Sequence, residues 1–86
     1  MSQQATVPTQ ITMYSTPWCG YCHRLRGQLD REGVSYTVID IEEHPGAAAY
    51  VREVNDGFET VPTVVFADGS ALTNPSLAQV LARVAQ

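Results

Sequence analysis

The spacing of apolar residues changes several times along the chain, and each change marks a predicted element. The stretch from Ile11 to Ser15 is short and apolar, which is typical of a buried strand. From Gly20 to about Glu32 the spacing becomes helical, and Gly33 is suited to end that helix. The apolar side of the predicted helix consists of Cys22, Leu25 and Leu29.

The middle of the chain predicts a second strand and a second helix. The stretch from Ser35 to Ile41 is rich in β-branched residues, which favour strands. Pro45 suits the first turn of a helix, and the residues after it predict helix to about Val54. Strand and helix therefore alternate over the first part of the chain.

The last third of the chain predicts a hairpin followed by a helix. Strands over about 63–66 and 70–73 flank Asp68-Gly69, a dipeptide typical of tight hairpin turns. Asn74 is predicted to cap the final helix, with Pro75 at its first position. The apolar face of that helix consists of Leu77, Val80, Leu81 and Val84.

This order of elements predicts the α/β class, with a four-stranded mixed sheet flanked by three helices. Two strands joined by a helix are expected to be parallel, whereas the strands of a hairpin are antiparallel. A length of 86 residues corresponds to one domain. We assign residues 10–86 to this domain and residues 1–9 to a flexible N-terminal arm.

Charge and composition narrow the classes of partner. The net charge is −4, and the five basic residues are all arginine, so nucleic acid is not an expected partner. No stretch approaches the length of a membrane span. The N-terminus lacks the pattern of a secretory signal, so we expect a cytoplasmic protein.

The two cysteines, Cys19 and Cys22, are separated by only two residues at the predicted helix start. In the reducing cytoplasm such a pair is more often catalytic or metal-binding than structural. Unpaired N–H groups and the helix dipole favour a thiolate at this end of a helix. We therefore predict an exposed Cys19 as the nucleophile and a buried Cys22 as the resolving thiol.

Other functions of the cysteine pair have less support in the sequence. A disulfide closing so short a loop contributes only about 2 kcal/mol to stability. Zinc needs four ligands, and His23 and His44 are poorly placed to complete such a site. We predict no metal site within the monomer. A [2Fe–2S] cluster shared between two subunits stays open as an alternative.

Three stretches resemble the glutaredoxin branch of the thioredoxin superfamily. They are MYSTPWCGYCHRL, the Thr60-Val61-Pro62 loop about 40 residues further on, and the strand–turn–strand–helix ending. The resemblance covers nearly all of the chain after the arm. It implies the thioredoxin/glutaredoxin fold and a thiol–disulfide oxidoreductase.

The resemblance also implies roles for individual residues. Cys19 would form the mixed disulfide with a small thiol, and Tyr21 would provide a flat wall beside its sulfur. Pro62 would be cis and face the cysteines, next to Thr60 in the same loop. The N–H and C=O of Val61 would then be free to pair with the backbone of a substrate.

The sequence departs from glutaredoxins where they bind the carboxylates of glutathione. Thr16 replaces the usual basic residue three positions before the first cysteine. Asp56 and Glu59 lie where a basic residue often precedes the Thr-Val-Pro loop. LTNPS replaces the usual Gly-Gly-x-Asp. A thiol without carboxylates is therefore expected to suit this protein better than glutathione.

Mycothiol is such a thiol, because its acetylated cysteine is amide-linked to a sugar–inositol. The chain is similar to the mycoredoxins, glutaredoxin-like proteins that use mycothiol, in WCGYC, TVPTV, FADGS and LTNPS. Trp18 either shapes access of the substrate or covers the edge of the sheet. The groups expected to hydrogen-bond the thiol belong to Ser15, Thr16, Thr73 and Asn74.

The expected activity is therefore removal of mycothiol from protein mixed disulfides. Electrons would come from mycothiol as co-substrate and from a separate NADPH-dependent flavoenzyme, mycothiol disulfide reductase. No bound cofactor is expected, and the protein is expected to be a monomer. The alternatives are a redoxin coupled to glutathione or to thioredoxin reductase, and an iron–sulfur cluster carrier.

Overall fold

A computed structural model describes residues 11–84, and the predicted arm lies outside these residues. Within this part of the chain, no helix is both long and apolar enough to cross a lipid bilayer. The elements are β1 (Ile11–Ser15), α1 (Gly20–Arg31), β2 (Tyr36–Asp40), α2 (Pro45–Val54), β3 (Thr63–Val65), β4 (Ala71–Thr73) and α3 (Leu77–Val84).

The four strands form one mixed sheet in the order β2-β1-β3-β4. β1 and β2 are parallel, whereas β3 is antiparallel to both β1 and β4. The hairpin closes where the Phe66 N–H donates to the Ser70 carbonyl at 2.9 Å, with Gly69 at a φ of 89°. The predicted fold class and the predicted strand directions are both confirmed.

The sheet separates two apolar clusters. The larger cluster joins α1 and α3 to the sheet and includes Met13, Cys22, Leu29 and Val80, all 0% exposed. The smaller cluster packs α2 against the other face through Ile41, Ala48 and Val51. The end of β1, where the chain turns toward the cysteines, therefore lies between two packed layers.

The residues at which α1 begins and ends are those that the sequence analysis identified. Cys19 is the N-cap, with its side chain accepting a hydrogen bond from the N–H of Cys22. After the C-cap, Glu32, the chain reverses through Gly33, whose φ of 72° favours glycine. Tyr36 then ties β2 back to α1, because its hydroxyl donates to a carboxylate oxygen of Asp30 at 2.7 Å.

The predicted cap of the last helix is wrong. Ser76, not Asn74, caps α3: its hydroxyl accepts from the Gln79 N–H at 3.1 Å, and its N–H donates to Gln79 Oε1 at 2.8 Å. This reciprocal pair is a capping box, and its Ser-x-x-Gln spacing is visible in the sequence. Asn74 instead adopts a φ of 48° in the turn before the helix.

Candidate active site

The cysteine pair lies at the junction of β1 and α1. Cys19 and Cys22 form a disulfide, with their Cα atoms 5.3 Å apart. The N–H of Cys22 points at Cys19 Sγ from 3.1 Å. The first turn of the helix therefore presents a hydrogen-bond donor to the sulfur that is predicted to carry negative charge in the reduced protein.

The predicted exposure of Cys19 is wrong. Cys19 is only 5% exposed, whereas Cys22 is fully buried as predicted. The Cys19 sulfur is bonded to Cys22, and both cysteines belong to the larger core cluster. In the oxidised protein little of Cys19 is therefore accessible to a substrate.

A cis peptide bond joins Val61 and Pro62, as the resemblance implied. The loop is held on both sides: the Asn74 N–H donates to the Pro62 carbonyl at 2.7 Å, and the Thr63 hydroxyl donates to the Thr60 carbonyl at 2.8 Å. Within residues 11–84, the backbone N–H and C=O of Val61 take part in no backbone hydrogen bond. These two groups are available to an extended substrate.

Two aromatic side chains form the exposed rim of the site. Trp18 is 70% exposed and Tyr21 is 65% exposed. The indole Nε1 of Trp18 donates to Glu42 Oε2 at 2.7 Å, so the ring is tied to the loop after β2. Such exposure does not fit the alternative in which Trp18 covers the sheet edge, and favours a role in access to Cys19.

A cleft of about 340 Å³ lies between α1 and the start of α3. Arg24 is the one charged residue among those described along its walls, and the other polar groups are neutral. The sequence analysis predicted Tyr21 and Asn74 as substrate-binding residues but missed Gln28, although Tyr21 and Gln28 share one helix face by spacing. The lining residues are Tyr21, Arg24, Leu25, Gln28, Asn74, Pro75, Ser76, Leu77 and Gln79.

The predicted hydrogen-bonding residues differ in their surroundings. Asn74 lines the cleft, whereas the hydroxyl of exposed Thr73 donates to the side-chain oxygen of Asn55. Ser15 is buried and donates to the carbonyl of Thr16 at 3.2 Å. Thr16 is 4% exposed, so a ligand could reach its side chain only after a local movement. The role of these four residues in hydrogen-bonding a bound thiol remains a prediction.

One ion pair lies before the Thr-Val-Pro loop. Arg52, near the end of α2, forms an ion pair with Glu59, and both side chains are about half exposed. Asp56 is exposed in the turn between them, with a φ of 57°. The basic side chain closest in sequence to this loop is therefore already neutralised by a carboxylate.

The described residues show no ready-made metal centre. Within residues 11–84, no group of three or more His, Cys, Asp or Glu side chains is placed to hold a metal ion. His23 is instead hydrogen-bonded through Nε2 to the Pro17 carbonyl at 2.9 Å. This contact braces the turn that leads from β1 to Cys19.

The fold, the Cys-x-x-Cys pair at a helix N-terminus and the cis-proline loop, whose Val61 packs against the same core cluster as the two cysteines, define a redoxin. The glutaredoxin family model matches residues 11–71, and the chain belongs to this family. It is by type a thiol–disulfide oxidoreductase. It is 42% identical to Mycoredoxin 1 of Corynebacterium glutamicum over 76 residues, which cover 88% of this chain and 94% of that protein.

Further relatives agree with this assignment. A candidate glutaredoxin of Mycobacterium tuberculosis is 49% identical over 78 residues, covering 91% of this chain and 93% of the relative. Among solved structures, the NrdH-redoxin from Escherichia coli shares the fold with a TM-score of 0.72, at 23% identity over 85% of this chain and 92% of that one. The glutaredoxin from Archaeoglobus fulgidus gives a TM-score of 0.64, at 26% identity over 84% and 82%.

Proposed function

We propose that this protein removes mycothiol from mixed disulfides on other proteins, acting as a monomer in the cytoplasm. The Cys19 thiolate attacks the mycothiol sulfur of the mixed disulfide. A new disulfide forms between Cys19 and mycothiol, and the substrate protein leaves as a thiolate. A second mycothiol thiolate then attacks the mycothiol sulfur, releasing mycothiol disulfide and restoring the Cys19 thiolate.

A second route to the same product uses both cysteines. The Cys22 thiolate attacks the Cys19 sulfur, mycothiol leaves as a thiolate, and the Cys19–Cys22 disulfide forms. That disulfide is the state of the pair in this structure. Two electrons from two further mycothiol molecules reduce it, and the resulting mycothiol disulfide is reduced by an NADPH-dependent flavoenzyme.

The observation that carries this proposal is the chemistry of the cleft beside Tyr21. Gln28, Asn74 and Gln79 offer neutral amide groups along it, which suit the hydroxyls and amides of an uncharged pseudodisaccharide. Arg24 is the one cation described there, and Arg52 is already paired with Glu59. The two carboxylates of glutathione therefore meet fewer free cations than they require. The similarity to Mycoredoxin 1 supports the same conclusion.

A coupled assay tests this function. Serum albumin carrying mycothiol in a mixed disulfide is the substrate, and NADPH oxidation is followed in three arms. The arms supply mycothiol with its disulfide reductase, glutathione with its reductase, or thioredoxin reductase alone. We expect turnover in the mycothiol arm to exceed that in the other two by at least about tenfold, equivalent to about 1.4 kcal/mol.

The Cys19→Ser variant supplies the background rate for each arm. Equal or faster turnover with glutathione would contradict the choice of mycothiol. Turnover with thioredoxin reductase alone would assign the protein to the redoxins that this flavoenzyme reduces directly.

A further inference from the structure

The hydroxyl of Thr16 has an unusual environment. Thr16 is 4% exposed, and its Oγ1 is the one buried side-chain oxygen or nitrogen in residues 11–84 without a hydrogen-bond partner. Buried polar groups in folded proteins nearly always have a partner, because burying one without a partner is unfavourable. By contrast, Thr63 is also buried, but its hydroxyl both donates and accepts a hydrogen bond.

Thr16 is adjacent to the nucleophile in the fold. Its carbonyl accepts the N–H of Cys19 at 3.3 Å, which closes a tight turn from Thr16 to Cys19. The Cα atoms at the two ends of such a turn are less than about 7 Å apart. The same carbonyl also accepts the Ser15 hydroxyl. The Thr16 hydroxyl itself has no hydrogen-bond partner in this oxidised structure.

Reduction makes the Cys19 sulfur a stronger acceptor, because a thiolate carries a full negative charge. The disulfide takes up two electrons from a thiol reductant and one proton, the S–S bond breaks, and Cys22 becomes a thiol while Cys19 becomes a thiolate. We propose that the Thr16 hydroxyl donates a hydrogen bond to this Cys19 thiolate in the reduced protein. Together with the Cys22 N–H, the sulfur then has two donors from the chain itself. This inference rests on the proposed role of Cys19 as the nucleophile.

Two measurable consequences follow from this hydrogen bond. It favours the charged form of Cys19, so it lowers the pKa of that thiol. It also stabilises the reduced protein relative to the oxidised protein, so it raises the reduction potential. The ionisable side chains around the turn are His23 on the Pro17 carbonyl, Glu42 on Trp18 and Arg24 in the cleft, and the Thr16 variants do not change any of them.

The test compares Thr16→Val and Thr16→Ser with the wild type. Valine keeps the shape of threonine but cannot donate, whereas serine keeps the donor. We expect Thr16→Val to raise the Cys19 pKa by about one unit and to lower the reduction potential by about 30 mV, the equivalent of tenfold. Thr16→Ser should restore both values. The pKa is measured from the pH dependence of alkylation, with the modified cysteine identified by mass spectrometry.

Thr63→Val is the matched control, because it removes a buried hydroxyl that already has partners. It should lower the melting temperature and leave the Cys19 pKa unchanged. Oxidised Thr16→Val should melt no lower than the wild type, since it loses an unpartnered polar group.

An unchanged pKa in folded Thr16→Val, or a rise that serine does not reverse, overturns the inference while leaving the proposed function intact. If Thr16→Val does not fold, the Thr16→Ala variant takes its place with the same expected shift. Alkylation of Cys22 before Cys19 in the wild type would instead refute the nucleophile on which the proposed function depends.

Discussion

Cys19 and Cys22 are one helical turn apart, but their surroundings favour different roles in thiol–disulfide exchange. Both belong to the larger core cluster, but Cys19 is the N-cap of α1 and its sulfur accepts the N–H of Cys22, whereas Cys22 is completely buried at 0% exposure. A sulfur enclosed in an apolar core is a poor thiolate, because burial disfavours the charged form. The first cysteine is therefore suited to attack a substrate, and the second to act only on its neighbour.

The Cys22→Ser variant should keep de-mycothiolation activity. We expect turnover within about tenfold of wild type, a loss of less than about 1.4 kcal/mol in transition-state stabilisation, because Cys19 is the proposed nucleophile. Cys19→Ser should abolish turnover in the same coupled assay. A collapse of activity in Cys22→Ser would show that the route through the internal disulfide predominates.

The hydrogen bonds of Asp68 predict that the hairpin loses stability in acid. Hydrogen bonds from the Ser70 hydroxyl and N–H lower the pKa of Asp68 below its ordinary value of 3.8. A lowered pKa means that this stabilisation is fully present above 3.8 and is lost as the pH falls through the folded-state pKa.

The melting temperature of the wild type should therefore exceed that of Asp68→Ala at neutral pH. This difference should shrink as the pH falls below 3.8. Melting of both proteins by circular dichroism across that range measures it, and a difference that is constant with pH would contradict the assignment.

The positions of the cysteine pair and the proline loop were predictable from the sequence, as was the burial of Cys22, but the burial of Cys19 and Thr16 was not. The helix start at Cys19 and the loop ending in Pro62 have local patterns that sequence analysis detects. The 5% exposure of Cys19 is that of the disulfide-bonded state, and the burial of Thr16 depends on packing around the end of β1. Neither property is encoded in the neighbouring residues, so both required the folded chain.

The helices and strands were predicted with small errors at their ends. Each has its own local pattern: apolar spacing in α1, β-branched residues in β2 and the Asp68-Gly69 turn between β3 and β4. The cap of α3 was the exception, because Asn74 and Ser76 are both good capping residues and lie only two positions apart. Ser76 is the cap in the structure because the side chain of Gln79 accepts its N–H, which completes the capping box.

This choice of cap can be tested with a pair of variants. Ser76→Ala removes the capping hydroxyl and should lower the free energy of unfolding by about 1 kcal/mol. Asn74→Gly should change it by much less, because glycine readily adopts the φ of 48° found at Asn74. Urea unfolding of both variants measures the two effects. A larger loss in Asn74→Gly than in Ser76→Ala would restore Asn74 as the cap.

At the scale of the whole molecule, the net charge is −4. A negatively charged protein disfavours the approach of an anionic small thiol more than that of a neutral one. Glutathione is an anion at neutral pH and is repelled, whereas mycothiol is uncharged until its thiol ionises. Added salt screens such repulsion, with a Debye length of about 10 Å at 0.1 M.

We therefore expect turnover with glutathione to rise with ionic strength, by less than about tenfold, while turnover with mycothiol changes little. Rates measured from low salt to physiological salt check this, with sodium chloride and potassium chloride compared to exclude specific ion effects. A fall in glutathione turnover with salt would show that Arg24 or another cation attracts the peptide.

Trp18 gives the molecule an optical property of its own. It is the single tryptophan of the chain, it precedes Cys19 directly, and its exposed ring is held by Glu42. Fluorescence from an indole is sensitive to a nearby disulfide and to the solvent around the ring. All tryptophan emission therefore originates next to Cys19, and opening of the disulfide or arrival of a thiol can be followed in real time without a label.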